Sequence, residues 1–219
     1  MRNKSLLLRL PALVMAALAV ATESAFAHHA MGGNTPSTFG QGFISGLAHP
    51  VIGVDHLAFI VGVGLLAAAC GKAYRLTLPL LFVAMTAVGA LTFVAGTTLP
   101  FAEVVIALSV AIVGVLLISG KTFAVPYFAG LFAVAGIFHG YAYGGSIVGA
   151  ETSPLLAYLA GFALIQYVIA VGASFVLELG RKAADQVTIR YERVAGGIIA
   201  GVALVFVVEN IETLLLGAV

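Results

Sequence analysis

Six long apolar segments, joined by short polar connections, restrict what this chain can fold into. They cover residues 43–69, 76–98, 101–119, 124–145, 154–178 and 194–217. About 20 apolar helical residues cross the hydrocarbon core of a bilayer, so each segment is long enough to span it once. Lipid offers the backbone no hydrogen-bond partner, and the segments lack the alternation of barrel strands. The sequence therefore predicts an all-α, polytopic membrane helix bundle with six transmembrane helices.

The composition excludes several other classes of protein. Hydrophobic residues make up 62% of the 219 residues and charged residues only 9%, whereas a soluble domain carries about 25% charged residues. A net charge of +1 gives no strong attraction to polyanions, so no nucleic-acid partner is expected. Cys70 is the single cysteine, which excludes an internal disulfide and a metal site built from cysteines.

The first 27 residues have the pattern of a secretory signal peptide. Basic residues near the start are Arg2, Lys4 and Arg9. A short apolar run over 10–21 follows, and Ala25-Phe26-Ala27 forms a cleavage motif. The alternative is a retained transmembrane helix, but the apolar run is short for a span. Cleavage would leave 28–42 as a periplasmic N-terminal segment and 43–219 as the transmembrane domain.

The remaining basic residues predict the orientation of the bundle. They lie only between spans 1 and 2, spans 3 and 4, and spans 5 and 6: Lys72, Arg75, Lys121, Arg181, Lys182, Arg190 and Arg193. Positive charge accumulates in cytoplasmic loops, so this side is predicted to be the cytoplasm and both termini to lie outside. With the signal peptide, this indicates a multi-pass protein of a bacterial inner membrane.

The connections leave no room for a soluble catalytic or nucleotide-binding domain, since the longest covers only residues 180–193. Gly120-Lys121-Thr122 resembles the end of a phosphate-binding loop, but Val115 stands where that motif needs a glycine. No use of ATP is therefore expected. The sequence also lacks an H-E-x-x-H zinc motif and a recognisable nucleophile setting, so we expect no enzyme.

Polar residues inside the first span are the main functional candidates, because charged groups in a bilayer are costly. The segment reads His49-Pro50-Val51-Ile52-Gly53-Val54-Asp55-His56. Pro50 and Gly53 predict a broken helix, which membrane transporters tolerate where it lines a cavity. Imidazole suits Ni²⁺, Co²⁺, Cu²⁺ and Zn²⁺, and a carboxylate adds charge or orients a histidine. A metal or proton site is favoured over a purely structural His–Asp pair.

Five further residues are candidate metal ligands towards the outer side. His139 lies in the fourth span, among small residues that permit close helix packing. Glu103 opens the third span, where it could bind the ion or merely cap the helix. Glu151 lies in an outer loop. His28 and His29 would start the mature chain, where they could capture a cation or form part of a solvated tail.

Other polar and aromatic side chains in the spans have simpler interpretations. Ser109 and Gln166 are assigned to hydrogen bonds between helices. The tyrosines and phenylalanines are assigned mostly to packing or to the membrane interface. No prosthetic group is expected.

The motif around His49, Asp55 and His56, followed by Val63-Gly64-Leu65, resembles the signature of the HupE/UreJ family of nickel and cobalt permeases. The signal peptide, the six spans, the glutamate opening span 3 and Phe138-His139-Gly140 add to this resemblance. It implies secondary uptake of Ni²⁺ or Co²⁺ across the inner membrane, supplying hydrogenase, urease or cobalamin synthesis. By the same resemblance His49, Asp55 and His56 carry transport, and Glu103 and His139 contribute.

The fourth span departs from the family pattern, in which a second histidine or an acidic residue often follows His-Gly. Here Tyr141, Tyr143 and Gly145 follow, and the next carboxylate is Glu151. The sequence hypothesis is therefore a permease for Ni²⁺ or Co²⁺ as substrate, with the choice of metal open. The alternative is a non-transporting membrane subunit that uses buried histidines structurally or to bind haem.

Overall fold

The computed structural model describes residues 34–121, 123–183 and 190–217, and within these ranges it contains helices and turns but no strand. The helices of this part are α1 (Phe39–Ile52), α2 (Val54–Ala69), α3 (Tyr74–Val94), α4 (Ala102–Ser119), α5 (Val125–Gly144), α6 (Thr152–Ala183) and α7 (Tyr191–Leu216). The predicted signal peptide, His28 and His29 lie outside the described residues. Five helices, α3 to α7, are long and apolar enough to cross a membrane, and α1 with α2 makes a sixth candidate. The protein is thus an all-helical, multi-pass membrane protein.

The first predicted span is broken into α1 and α2, which are bent by 82°. The break lies at Gly53, whose backbone is extended with φ −71° and ψ 102°. Pro50 lies in the last turn of α1, where its missing N–H weakens the helix. The new N-terminus of α2 carries Asp55 in its first turn, where a negative charge interacts favourably with the helix dipole. The predicted break is confirmed.

The broken segment continues across the bundle and does not turn back. Its glycines lie against successively later residues of α6: Gly42 at Pro154, Gly46 at Tyr158 and Gly64 at Ala170. A re-entrant loop would return towards the start of α6 after the bend. Because contacts advance along both α1 and α2, the pair forms one crossing that runs parallel to α6.

The other close helix pairs alternate in direction as six crossings require. Helices α3 and α5 are parallel, since Gly136 lies against Phe82 and Gly140 against Thr86. Helices α4 and α7 are antiparallel; Gly114 lies against Ala200, and Gly196 against Leu117. In these pairs the missing side chain of glycine allows the backbones to approach closely, as is typical of membrane helices.

Basic residues gather at one end of the bundle, here called the basic end, formed by the α2–α3, α4–α5 and α6–α7 connections. Arg75, at the start of α3, forms an ion pair with Glu178, near the end of α6. Lys182 Nζ lies 3.0 Å from Oε1 of the same glutamate. Gly120, after α4, lies beside Arg193 of α7. The structure therefore brings together the ends that the charge pattern predicts to share one side.

Candidate functional site

Buried histidines from three helices meet around the break between α1 and α2. His49 comes from α1 and His56 from α2, while α5 supplies His139. All three are buried, and His139 is completely so. We call these three residues the histidine cluster. It lies where two apolar clusters meet: Phe59, Phe82 and Phe132 belong to one, and Tyr143, Tyr158 and Phe162 to the other.

One chain of hydrogen bonds links α2, α5 and α4. The His56 and His139 Nδ1 atoms lie 2.7 Å apart, and His139 Nε2 lies 2.9 Å from the Ser109 hydroxyl. That hydroxyl also lies 2.7 Å from the Ile106 carbonyl, to which it can donate while its oxygen accepts from His139 Nε2–H. At 2.7 Å the two Nδ1 atoms share one hydrogen bond, in which one ring donates and the other accepts.

A second chain of hydrogen bonds holds the ring of His49. The Tyr158 hydroxyl lies 3.0 Å from His49 Nδ1 and 3.1 Å from the Tyr143 carbonyl, to which it can donate. In that arrangement the hydroxyl oxygen accepts from His49 Nδ1–H. Histidine ligands of metals commonly donate one ring N–H to a neighbour in this way, which orients the other nitrogen.

The ring of Tyr143 lies between the two histidines of the first span. Its centroid is 5.0 Å from that of His49 and 4.5 Å from that of His56. Its hydroxyl is buried and has no hydrogen-bond partner within the described ranges. The sequence assigned the tyrosines mostly to packing, so Tyr143 and Tyr158 were missed. The position of Tyr143, one turn after His139 on α5, is the signal that could have indicated it.

Asp55 is buried, and its Oδ1 accepts a hydrogen bond of 2.8 Å from the backbone N–H of His56. This contact fixes the carboxylate in the first turn of α2. The C-terminal end of α1 faces the same break, and its last carbonyls carry partial negative charge. A carboxylate and a helix C-terminus together make the break favourable for a cation. Broken transporter helices use such ends to bind ions.

Two other predicted ligands are exposed, each close to the start of a helix. Glu103 is exposed in the first turn of α4, and Glu151 is exposed just before α6. Ser109, on the same helix as Glu103 but buried, is the residue of α4 that contacts His139. Among the residues that the structure describes, no three His, Cys, Asp or Glu side chains converge closely enough to hold a metal ion. His56 and His139 thus form a hydrogen-bonded pair, and His49 and Asp55 lie near it.

Ser109 and Gln166 form the hydrogen bonds between helices that the sequence predicted. Ser109 bonds His139, and the Gln166 amide donates to Thr86 Oγ1 at 3.3 Å. Ser109 therefore connects packing with the site, since its hydroxyl bonds the His139 ring directly.

Comparison with known proteins identifies the family. The family model described as HupE / UreJ protein matches residues 15–206. The chain is also 33% identical over 163 residues to Protein HupE of Rhizobium leguminosarum bv. viciae, which covers 73% of this chain and 81% of that protein. No solved structure matches. The match extends over the broken first span and the histidine-bearing fifth helix, and the chain belongs to the HupE/UreJ family.

Proposed function

We propose that this protein is a secondary transporter that takes up Ni²⁺ or Co²⁺ across a bacterial inner membrane. The observation that carries the proposal is the break at Gly53, which brings His49 and His56 to the ring of Tyr143. Imidazole nitrogens are ligands that suit a divalent transition metal, and the break places one imidazole on each side of this ring. Membership of the HupE/UreJ family supports the same substrate class.

The position of the cluster favours entry from the end opposite the basic residues. At 1.5 Å per residue, His49 lies about 15 Å along α1 from Phe39. His139 lies about 8 Å from the Gly144 end of α5. By the positive-inside rule the basic end is cytoplasmic. The ion would then reach the histidines from outside and leave past the ion pairs at the basic end.

The ligand chemistry provides selectivity, and the membrane potential can provide the driving force. Imidazole with a carboxylate binds Ni²⁺ and Co²⁺ in preference to Mg²⁺ and Ca²⁺, which prefer oxygen ligands. A potential of 100 mV is worth about 2.3 kcal/mol for each charge that crosses. Inward movement of a divalent cation therefore needs no nucleotide.

The test is uptake of radiolabelled Ni²⁺ and Co²⁺, in competition, by cells that express the wild type or His49→Ala/His56→Ala. We expect wild-type uptake of one or both metals and background uptake in the double variant, with equal amounts of protein in the membrane. Background uptake by the wild type at normal membrane expression would refute the proposal.

One observation favours the alternative of a non-transporting subunit. The His56–His139–Ser109 chain already satisfies three polar side chains and ties α2, α5 and α4 together, as a structural role would require. A haem-binding subunit would show visible absorbance after purification, which Ni²⁺ or Co²⁺ transport does not require. If uptake fails, a spectrum of the purified protein distinguishes a haem-binding subunit from a purely structural one.

A further inference from the structure

A buried amide on α6 presents an oxygen atom without a partner. Gln166 is completely buried. Its Nε2 donates to the Phe162 carbonyl at 3.0 Å and to Thr86 Oγ1 at 3.3 Å. Its Oε1 accepts no hydrogen bond from any residue that the structure describes.

The orientation of the amide follows from its neighbours. The Phe162 carbonyl can only accept, and the Thr86 hydroxyl gives its hydrogen to the Val83 carbonyl at 2.8 Å. Both neighbours therefore need a donor, and only the NH₂ group of Gln166 can supply it. A flipped amide would set oxygen against two acceptors, so the unpartnered atom is the oxygen.

The two partners of this amide contact residues of α5 at the histidine cluster. Thr86, which accepts from Gln166, lies against Gly140, the residue after His139. Phe162, which also accepts from Gln166, packs against Tyr143 with ring centroids 5.7 Å apart. Gln166 is thus linked to Tyr143 through Phe162, and to the neighbour of His139 through Thr86. The Tyr143 hydroxyl is a second buried oxygen that has no hydrogen-bond partner among the described residues.

A buried oxygen without a partner is costly, and a leucine of similar size would avoid that cost. Amide and hydroxyl oxygens are acceptors that suit a cation or the water molecules bound to it. We propose that the Gln166 amide oxygen binds the transported cation, directly or through one of its water molecules, beside the histidine cluster. This inference rests on the proposed transport function and adds an oxygen ligand from α6 to the imidazoles of α1, α2 and α5.

The test compares three variants of the full-length protein by initial rates of Ni²⁺ and Co²⁺ uptake and by thermal unfolding with and without Ni²⁺. Gln166→Leu removes the oxygen, and Gln166→Glu keeps an oxygen ligand at this position. Ser174→Ala is the matched control, because Ser174 is buried on the same helix but its hydroxyl bonds the Val171 carbonyl at 2.7 Å.

We expect Gln166→Leu to raise the KM for uptake about ten- to a hundredfold, the effect of losing one polar contact to a charged ligand. It should also reduce the rise in Tm that Ni²⁺ produces. Gln166→Glu should have a KM well below that of Gln166→Leu, and Ser174→Ala should behave as the wild type.

Two results would overturn the inference. One is an unchanged KM in Gln166→Leu. The other is an equal increase of KM in Gln166→Leu and Gln166→Glu, which would indicate a role of the amide in packing. Neither result affects the proposed function, which fails only if the wild type and Ser174→Ala take up no metal.

Discussion

The broken first span and the α3–α5 pair lie in the same bundle but differ in the continuity of their helices. Helices α3 and α5 are continuous over 21 and 20 residues. They pack through glycines that lie against the backbone of the other helix, as Gly140 lies against Thr86. Helices α1 and α2 have 14 and 16 residues and meet at 82°. Both regions use glycine to bring helices together, but the first span also uses it, at Gly53, to end one helix and begin the next.

Proline alone does not explain the difference. Pro79 lies inside α3, which continues to Val94, whereas Pro50 is followed by an extended Gly53. Pro79 is the sixth residue of its helix, so its missing N–H removes one backbone hydrogen bond, yet the helix continues. At Gly53 the interrupted backbone is compensated by Asp55 in the first turn of α2. The break thus occurs where polar groups are present to stabilise it.

The largest effect on uptake is expected at His139. This residue belongs to the continuous helix α5, but it bonds His56 of the broken span. His139→Ala removes the partner of His56 and should lower uptake about a hundredfold, the upper range for loss of a group that orients a metal ligand. Ser109→Ala removes only the hydroxyl that bonds His139 Nε2 and should lower uptake about tenfold. Equal uptake by His139→Ala and the wild type would show that His139 of α5 takes no part in transport.

The next effect concerns the stability of the α3–α5 pair. Gly140→Val would place a side chain against the Thr86 backbone and should cost about 1–3 kcal/mol or more, lowering membrane expression and Tm. Gly130→Ala on the same helix is the control, since a Cβ there meets nothing within 4 Å. It should leave Tm unchanged or raise it. Similar Tm values for both variants would contradict the close packing.

A smaller effect is expected from Gly53→Ala, which alters the break directly. A Cβ at Gly53 would lie 2.7 Å from Cδ2 of His56, so the ring must shift. We expect uptake to fall about tenfold, as for other losses of ligand orientation, while membrane expression stays normal. Pro79→Ala, in the continuous helix α3, should leave uptake unchanged. Comparable uptake defects in the two variants would show that the break has no special role.

The smallest effect is expected from the exposed glutamates. Glu103→Gln and Glu151→Gln remove negative charges that lie outside the histidine cluster. An exposed charge attracts cations through a field that salt screens, so KM should change about twofold at most at physiological ionic strength. Loss of uptake in either variant would instead show that the glutamate binds the ion.

Much of the fold could be predicted because lipid imposes strict rules on sequence. The helix limits of α3 to α7 lie within a few residues of the predicted spans, since each apolar run must be helical. The break in the first span was also predictable from Pro50 and Gly53. The predicted signal peptide and the outward orientation of the termini stay predictions, as do the roles of His28 and His29.

The candidate site was only partly predictable. His49, Asp55, His56 and His139 stood out because ionisable groups are rare in membrane spans. Tyr143, Tyr158 and Gln166 did not, because an aromatic or amide side chain in a span usually serves packing or helix contacts. Their importance depends on distances between α5, α6 and the break, which local sequence patterns do not contain.

The sequence by itself determined that the chain forms apolar helices, where one of them breaks, and which end of the bundle carries the positive charge. These properties follow from hydrophobic length, from Pro50 and Gly53, and from the spacing of lysine and arginine, all of which act locally. The tertiary structure decided which side chains hold the histidine rings. That depends on Ser109 and Tyr158, which approach the histidines only when α4 and α6 pack beside the break.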